Sequence, residues 1–229
     1  MNTQTQNIIQ HDFILLDRSG SMSGMWDEAL NSINAYVQKL AETNVDTGVT
    51  LAVFDSNEPF TIIRDRITPK TWKNVTNADC SPRGGTPLND ATAKLIQLAR
   101  TGAPWGQQYG RVAIVIVTDG EENASKEFRD VSLIKRMLDE CREKNWQIMY
   151  LGADFDNQKQ AASYGAATQS TVRTSTANFG STMRSMASKR FAYANTGASM
   201  SYNSMEQTAL ASATPVSDEE LDKLSQQSS

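Results

Sequence analysis

Three oxygen-bearing side chains follow the first apolar run of the chain at alternate positions. The run ends at Leu16, and Asp17, Ser19 and Ser21 come next, with Gly20 between the two serines. Alternate spacing lets one tight loop direct a carboxylate and two hydroxyls towards a common point, and Mg²⁺ prefers oxygen ligands in an octahedron. Serine and glycine are also the ordinary residues of turns. The stretch by itself therefore fits either half of a metal shell or a simple turn.

Two later stretches supply further oxygen atoms. One is GGTPLND, in which Thr86 follows two glycines, and the other is the apolar run VAIVIV, which leads into a TDG sequence centred on Asp119. A continuous apolar run is typical of a strand buried on both faces of a parallel sheet, so Asp17 and Asp119 should each follow such a strand. The glycines before Thr86 should let the backbone approach a metal closely. Open α/β sheets hold their sites at the carboxyl ends of the strands.

Together the three stretches resemble the metal-ion-dependent adhesion site of the von Willebrand factor A (vWA) family. The family pattern is D-x-S-x-S, then a loop threonine, then an aspartate at a strand end. All of its positions are present in order, as Asp17, Ser19, Ser21, Thr86 and Asp119. The combination is far more specific than D-x-S-x-S alone. The resemblance covers residues 13–154 well and extends weakly to about residue 194, and it indicates a small bacterial or phage intracellular type.

The resemblance implies a metal site with a binding function. Ser19 and Ser21 would bind the cation directly. Thr86 would bind it directly or only in one conformational state of the domain. Asp17 and Asp119 would act directly or through water. The expected ion is Mg²⁺ or Mn²⁺, with Ca²⁺ the poorer match. An Asp or Glu of a protein partner would complete the octahedron, and that partner could belong to an ATPase-containing complex.

Two other functions stay open. A bound Mg²⁺ can activate water or polarise a phosphoryl group, so a Mg-dependent phosphoester hydrolase is the alternative enzyme class. Such an enzyme needs a general base or nucleophile beside the metal. The single histidine, His11, precedes the first strand, and four acidic residues could lie on the same rim: Asp55, Glu121, Glu122 and Asp154. We expect no enzyme. The third option is a scaffold that acts without metal.

The composition is that of an ordinary globular protein, with 229 residues, 39% hydrophobic and 21% charged. This length fits one sizeable domain. The formal net charge of −4 argues against nucleic-acid binding, which depends on neutralising phosphates. No window approaches the ~20 apolar residues of a membrane helix, and the first ten residues lack the pattern of a signal peptide. We therefore expect a cytoplasmic protein that binds neither nucleic acid nor membrane.

The elements that must position these side chains alternate between strands and helices. Apolar spacing predicts a helix over Trp26–Glu42, and the later sequence predicts further helices over residues 88–99, 132–144, 157–164 and 178–194. The short link between Val49–Phe54 and Phe60–Ile63 predicts an antiparallel hairpin at a sheet edge. The expected fold class is α/β, with a doubly wound, mostly parallel, Rossmann-like sheet of the vWA type. Helices should cover both faces, and one edge strand should be antiparallel.

Composition also suggests three segments. Residues 1–10 are expected to be a flexible N-terminus, and residues 11–195 the vWA domain. Residues 196–229 are rich in Ser, Thr, Ala and Gln, so we expect a largely disordered polar tail. Within it, SDEE at 217–220 fits a capping box and predicts at most a short helix over 218–225.

Overall fold

The structure is a computed structural model that describes residues 10–43, 45–101, 111–152 and 155–227, without the side chains of 155–158. The strands are β1 (Gln10–Asp17), β2 (Gly48–Phe54), β3 (Thr61–Ile67), β4 (Arg111–Val117), β5 (Gln147–Gly152) and β6 (Thr171–Arg173). The helices are α1 (Trp26–Glu42), α2 (Leu88–Thr101), α3 (Val131–Glu143), α4 (Phe155–Ser163), α5 (Phe179–Thr196), α6 (Ser204–Ala211) and α7 (Asp218–Gln226). The predicted flexible N-terminus lies outside the described residues except for Gln10, which begins β1.

The strands form one sheet in the order β3-β2-β1-β4-β5-β6. Every neighbouring pair is parallel except β2 and β3, which are antiparallel. The two central strands, β1 and β4, are buried along nearly their whole length, as their continuous apolar sequences predict for strands covered on both faces. The predicted fold class, a doubly wound and mostly parallel sheet with one antiparallel edge strand, is confirmed.

Strand β3 is longer than the predicted Phe60–Ile63 and continues to Ile67. Its second half contains charged residues, which an edge strand tolerates because one side faces water. Arg64 pairs with Asp79 at 3.0 Å, and Arg66 adopts a φ of 51° where the register with β2 becomes irregular. Apolar periodicity did not predict this half of the strand, because several of its positions are charged.

Helices cover both faces of the sheet. α1 and α5 pack together on one face, while α2, α3 and α4 cover the other. Alternate residues of β1 divide the core, because Ile14 and Leu16 face the first layer while Phe13 and Leu15 face the second. Burying one such Leu or Ile side chain stabilises the fold by about 1.5–3 kcal/mol. Within the described ranges, no helix is long and apolar enough to cross a membrane.

The segment after residue 195 differs from the expected disordered tail. α6 and α7 fold back onto α5, and Tyr202, Leu210 and Leu221 are each no more than 1% exposed. Both helices begin with a capping box, and α7 spans the range where the capping box at Ser217 indicated a helix. The isolated apolar residues give no local periodicity, so their burial depends on a surface that α5 provides.

Asn178, directly before α5, supplies much of the polar contact to this segment. Its side chain is fully buried. Its amide nitrogen donates to the carbonyl oxygens of Ser212 at 2.8 Å and Thr214 at 3.0 Å, and its Oδ1 accepts from the backbone N–H of Val216 at 2.8 Å. One side chain thus satisfies several backbone groups of the connection between α6 and α7.

Candidate metal centre

Asp17 ends β1, and its side chain is fully buried at the carboxyl edge of the sheet. The chain turns there because the backbone N–H of Ser19 donates to Asp17 Oδ1 at 2.7 Å. The next residues form a 3-10 helix over Gly20–Met25. Ser19 is buried and Ser21 is exposed, so the D-x-S-x-S stretch leads from the core to the surface.

Hydrogen bonds connect the first and third stretches of the predicted site. The hydroxyls of Ser19 and Ser21 lie 3.0 Å apart, and Ser21 donates to Asp119 Oδ1 at 2.9 Å. Thr118 donates from Oγ1 to Asp17 Oδ2 at 2.6 Å. Sequence reasoning gave Thr118 no role, although a hydroxyl directly before Asp119 was a usable signal. The ends of β1 and β4 therefore form one connected polar cluster.

Thr86 lies in the loop before α2, and its hydroxyl oxygen adjoins this polar cluster beside Gly120. A Cβ atom on Gly120 would lie 3.0 Å from Thr86 Oγ1, 3.5 Å from Ser21 Oγ and 3.6 Å from Asp17 Oδ2. Oxygen atoms from the first and second stretches thus border the space beside Gly120, and Asp119 of the third stretch directly precedes this glycine. The structure brings together the five side chains predicted as ligands: Asp17, Ser19, Ser21, Thr86 and Asp119.

The electrostatics of this cluster favour a cation. Burial raises the pKa of Asp17 to about 6, although hydrogen bonds from Thr118 and Ser19 partly lower it, and the neighbouring charge of Asp119 raises it further. A positive ion between these oxygens would offset both the loss of water and the repulsion between the carboxylates.

The donor set also decides which cation fits. Among the residues that the structure describes, no group of three His, Cys, Asp or Glu side chains is placed to hold a metal. The cluster beside Gly120 is of another kind, with carboxylates from Asp17 and Asp119 and hydroxyls from three further side chains. Oxygen donors suit a hard cation such as Mg²⁺ or Mn²⁺. With one oxygen from each side chain, the five donors leave one position of an octahedron for water or a partner's oxygen.

Two acidic side chains hold the loop after β4 in place by accepting hydrogen bonds from backbone N–H groups. Sequence reasoning did not assign this role to either of them. Glu122 accepts the backbone N–H of Asn89 at 2.7 Å and that of Ser125 at 2.8 Å. Asp90, in the first turn of α2, accepts from the backbone N–H of Phe128 at 2.7 Å and from those of two preceding residues. Their pairing across loops is a tertiary property without a signature in the local sequence.

The acidic residues considered as general bases have other partners. Asp55 is buried, and its Oδ2 accepts from two arginines at 2.5 and 3.1 Å. Both oxygens of Glu122 accept hydrogen bonds from the adjoining loops. Glu121 is exposed, and Asp154 lies outside the described residues. The described candidates therefore shape the loops or face solvent.

Comparisons with known proteins agree with this fold. The model of the von Willebrand factor type A domain matches residues 13–190. The PilB minor pilin from Streptococcus sanguinis has a TM-score of 0.57 at 13% identity, over 80% of this chain and 61% of that chain. A von Willebrand factor type A structure from Catenulispora acidiphila has a TM-score of 0.54 at 13% identity, over 80% of this chain and 43% of that chain.

Proximal thread matrix protein 1 from the mussel byssus is a further structural neighbour, with a TM-score of 0.53 at 12% identity over 80% of this chain and 46% of that chain. A search among curated proteins finds no match. The chain spans less than two thirds of each of these three structures, and identities this low show a shared fold alone. The family model, however, matches more than half of the chain, so the chain belongs to the von Willebrand factor type A domain family.

Proposed function

We propose that the chain is a metal-dependent protein-binding module. The cation is Mg²⁺ or Mn²⁺, and the ligands are Asp17, Ser19, Ser21, Thr86 and Asp119. A carboxylate from an Asp or Glu of a partner protein completes the shell. Domains of this family commonly mediate protein–protein interactions.

One observation carries the proposal, namely the convergence of oxygen atoms around Gly120. Two of them, from Asp17 and Ser21, belong to the first stretch, and Thr86 Oγ1 comes from the loop before α2, while Asp119 joins them through its hydrogen bond from Ser21. Holding polar groups in a fixed arrangement against each other's charge costs stability. A bound cation offsets that cost, which a purely structural loop would have no reason to incur.

The five proposed ligands comprise neutral hydroxyls and charged carboxylates, which have different effects on the cation. The hydroxyls of Ser19, Ser21 and Thr86 are neutral, so they would leave a bound cation with much of its affinity for further oxygen. Asp17 and Asp119 contribute the negative charge, and each is held by a hydrogen bond from a neighbouring hydroxyl. A metal in this setting supplies Lewis acidity towards a partner's carboxylate oxygen.

Access to the site is from the exposed side of Ser21. The residues near Ser21 and Thr86 in the sequence include the small exposed residues Gly20 and Gly84, and Gly20 N–H donates to the carbonyl of Gly84 at 3.0 Å. Small residues here leave a partner side chain room to reach the cation, while Ser19 and Thr86 stay buried. The partner's membership of an ATPase-containing complex, the bacterial or phage origin and the cytoplasmic location remain predictions.

The competing functions have less support. A phosphoester hydrolase needs a base beside the metal, and both Glu122 and Asp55 have their oxygens engaged in holding loops. A metal-independent scaffold would not need five converging oxygen donors. Under that reading, removing divalent ions with EDTA should leave both the melting temperature and partner binding unchanged.

The first experiment measures the metal itself. Mn²⁺ binding is followed by electron paramagnetic resonance, with Mg²⁺ and Ca²⁺ as competitors. Wild type should bind one Mn²⁺ that Mg²⁺ displaces, Asp17→Ala and Ser21→Ala should bind it at least about tenfold more weakly, and Gly24→Ala should match wild type. Equal binding by all four proteins would refute the assigned ligands.

The second experiment concerns the partner. Tagged wild type and Ser21→Ala are used for capture in Mg²⁺ and in EDTA, and proteins held only by wild type in Mg²⁺ are purified. Cross-linking of the purified complex then identifies the partner segment at the interface. Each acidic residue in that segment is changed to its amide. Loss of binding on one such change supports a bridging carboxylate, whereas capture that is equal in all conditions contradicts it.

A further inference from the structure

We infer that Asn123, which is not one of the five proposed ligands, positions Thr86 for the metal. The inference rests on the proposed function and deepens it. The backbone N–H of Thr86 donates to Asn123 Oδ1 at 2.9 Å, and the backbone N–H of Asn123 donates to the carbonyl oxygen of Thr86 at 3.0 Å. One residue thus binds both backbone polar groups of Thr86.

This two-way contact fixes the direction in which the Thr86 side chain leaves the backbone. Hydrogen bonds to the peptide units on both sides of Thr86 Cα restrict φ and ψ at this residue, so the direction of the Cα–Cβ bond is fixed. Oγ1 is the oxygen that would lie 3.0 Å from a Cβ on Gly120. The contact therefore sets the point from which the proposed ligand oxygen extends towards the cation.

Asn123 can hold Thr86 because its own loop is fixed. Glu122 accepts the backbone N–H of Ala124 at 3.0 Å and that of Asn89 in α2 at 2.7 Å. Asn123 lies between Glu122 and Ala124, on the loop that also contains Asp119. The second and third ligand stretches are consequently joined through Asn123.

Gly85 has a part in the same arrangement. A Cβ atom on Gly85 would lie 2.9 Å from Asn123 Oδ1, closer than Cβ atoms approach other atoms in real proteins. Its backbone is held on the other side, where its N–H donates to Ser56 Oγ at 2.8 Å and its carbonyl accepts from Ser56 at 3.0 Å. The expected reason for this glycine was close approach to a metal, and the structure gives approach to the Asn123 amide as a second reason.

Asn123 is exposed, so shortening it opens no cavity. Removing its acceptor should therefore affect the ligand geometry far more than the fold. Second-layer partners of metal ligands typically contribute 10–100-fold to metal affinity. A purely structural surface residue would instead change stability slightly and leave the affinity for the ion unchanged.

The test compares Mn²⁺ affinity, measured by electron paramagnetic resonance, with thermal stability in EDTA. Asn123→Ala should weaken Mn²⁺ binding roughly 10–100-fold. Its melting temperature in EDTA should stay within about 2 °C of wild type. Asn123→Asp keeps an acceptor for Thr86 and should stay within a few-fold of wild type. The matched control is Asn77→Ala, an exposed asparagine that donates to Asp27 at 2.9 Å.

A double-mutant cycle tests the role of Gly85. Gly85→Ala alone should weaken Mn²⁺ binding because its methyl group displaces the Asn123 amide. In the Asn123→Ala background the same change should cost much less, because no amide oxygen remains for the methyl group to meet. Additive losses would remove Gly85 from the inference.

The remaining outcomes separate this inference from the proposed function. If wild type binds no Mn²⁺, the proposed function is wrong and the inference is wrong with it. If wild type binds Mn²⁺ and Asn123→Ala binds it equally well, the site stands and the inference is overturned. Equal losses in Asn123→Ala and Asn123→Asp would likewise overturn it, because the acceptor would then not be the cause.

Discussion

Arg190 of α5 donates its Nε–H to Asp12 Oδ1 of β1 at 2.5 Å, and both side chains are fully buried. Asp12 Oδ2 accepts the hydroxyl of Tyr36 in α1 at 2.8 Å, so both oxygens are in use. The pair joins three elements near the start of β1, at the sheet edge opposite Asp17. A buried ion pair of this kind fixes the position of α5 relative to the central strand.

Breaking this pair should strongly destabilise the fold. Arg190→Met leaves the Asp12 carboxylate buried without its cation, which typically costs about 3–5 kcal/mol in the free energy of unfolding. The double variant Asp12→Leu/Arg190→Met should recover part of the loss, because no uncompensated charge remains. Urea unfolding of the single and double variants checks this. A loss below about 1 kcal/mol for Arg190→Met would contradict the prediction.

Gly120→Ala should abolish metal binding without unfolding the protein. The added methyl group would occupy the space bordered by Thr86 Oγ1, Ser21 Oγ and Asp17 Oδ2. Calorimetric titration with Mg²⁺ should show no binding by the variant, and its melting temperature in EDTA should stay close to that of wild type. The matched control is Gly24→Ala, since a Cβ at Gly24 meets nothing within 4 Å. Binding of Mg²⁺ by Gly120→Ala would place the ion elsewhere.

His11 should make the fold sensitive to acid. Its Nε2 lies 2.9 Å from Thr50 Oγ1, and its ring stacks on Phe13 with centroids 4.1 Å apart. Burial, with smaller effects from the charges of Arg66 and Arg190, lowers the pKa of His11 from 6.5 to about 3. Between these values the unfolded chain binds a proton that the folded chain does not, so stability falls as the pH falls through this window.

The size of the effect follows from the same linkage. At pH 5 the contribution of His11 is a loss of about 2 kcal/mol relative to pH 7.5. Urea unfolding of wild type and His11→Gln in EDTA at both pH values isolates it, because the carboxylates are common to both proteins. The variant should lose less stability on acidification. Equal losses of unfolding free energy in wild type and His11→Gln would show that His11 has the same pKa in the folded and unfolded chain.

Asn178→Asp should release α6 and α7 from α5. The change retains an acceptor for the N–H of Val216 but replaces a donor with an oxygen that faces the carbonyls of Ser212 and Thr214. Leaving such buried groups unsatisfied costs about 1–3 kcal/mol. Hydrogen exchange within residues 202–226 should become faster, whereas Asn195→Asp, an exposed change within α5, should leave it unaltered. Unchanged exchange in Asn178→Asp would contradict this role.

Local sequence was sufficient where burial follows a simple period. The continuous apolar runs of β1 and β4 predicted central strands, and the apolar face of α1 gave both of its ends. The ligand candidates could be named because their types and order are characteristic, and the structure does bring their side chains together. Metal binding by them remains a proposal.

The remainder depended on contacts between distant residues. Leu210 and Leu221 are single apolar residues in polar surroundings, and their burial depends on α5 and on Asn178. Asn123 resembles any loop asparagine until Thr86 is placed beside it. Such pairings carry no local pattern, because either residue alone would suit many other structures.

The contact between Thr118 and Asp17 spans 101 positions in the chain. It therefore exists only after β1 and β4 have paired, and contacts of such long range form slowly because they close a large loop. A cation at this site would have no assembled ligands in the unfolded chain. In kinetic terms, Mg²⁺ should slow unfolding and lengthen the lifetime of the native chain while leaving the folding rate unchanged.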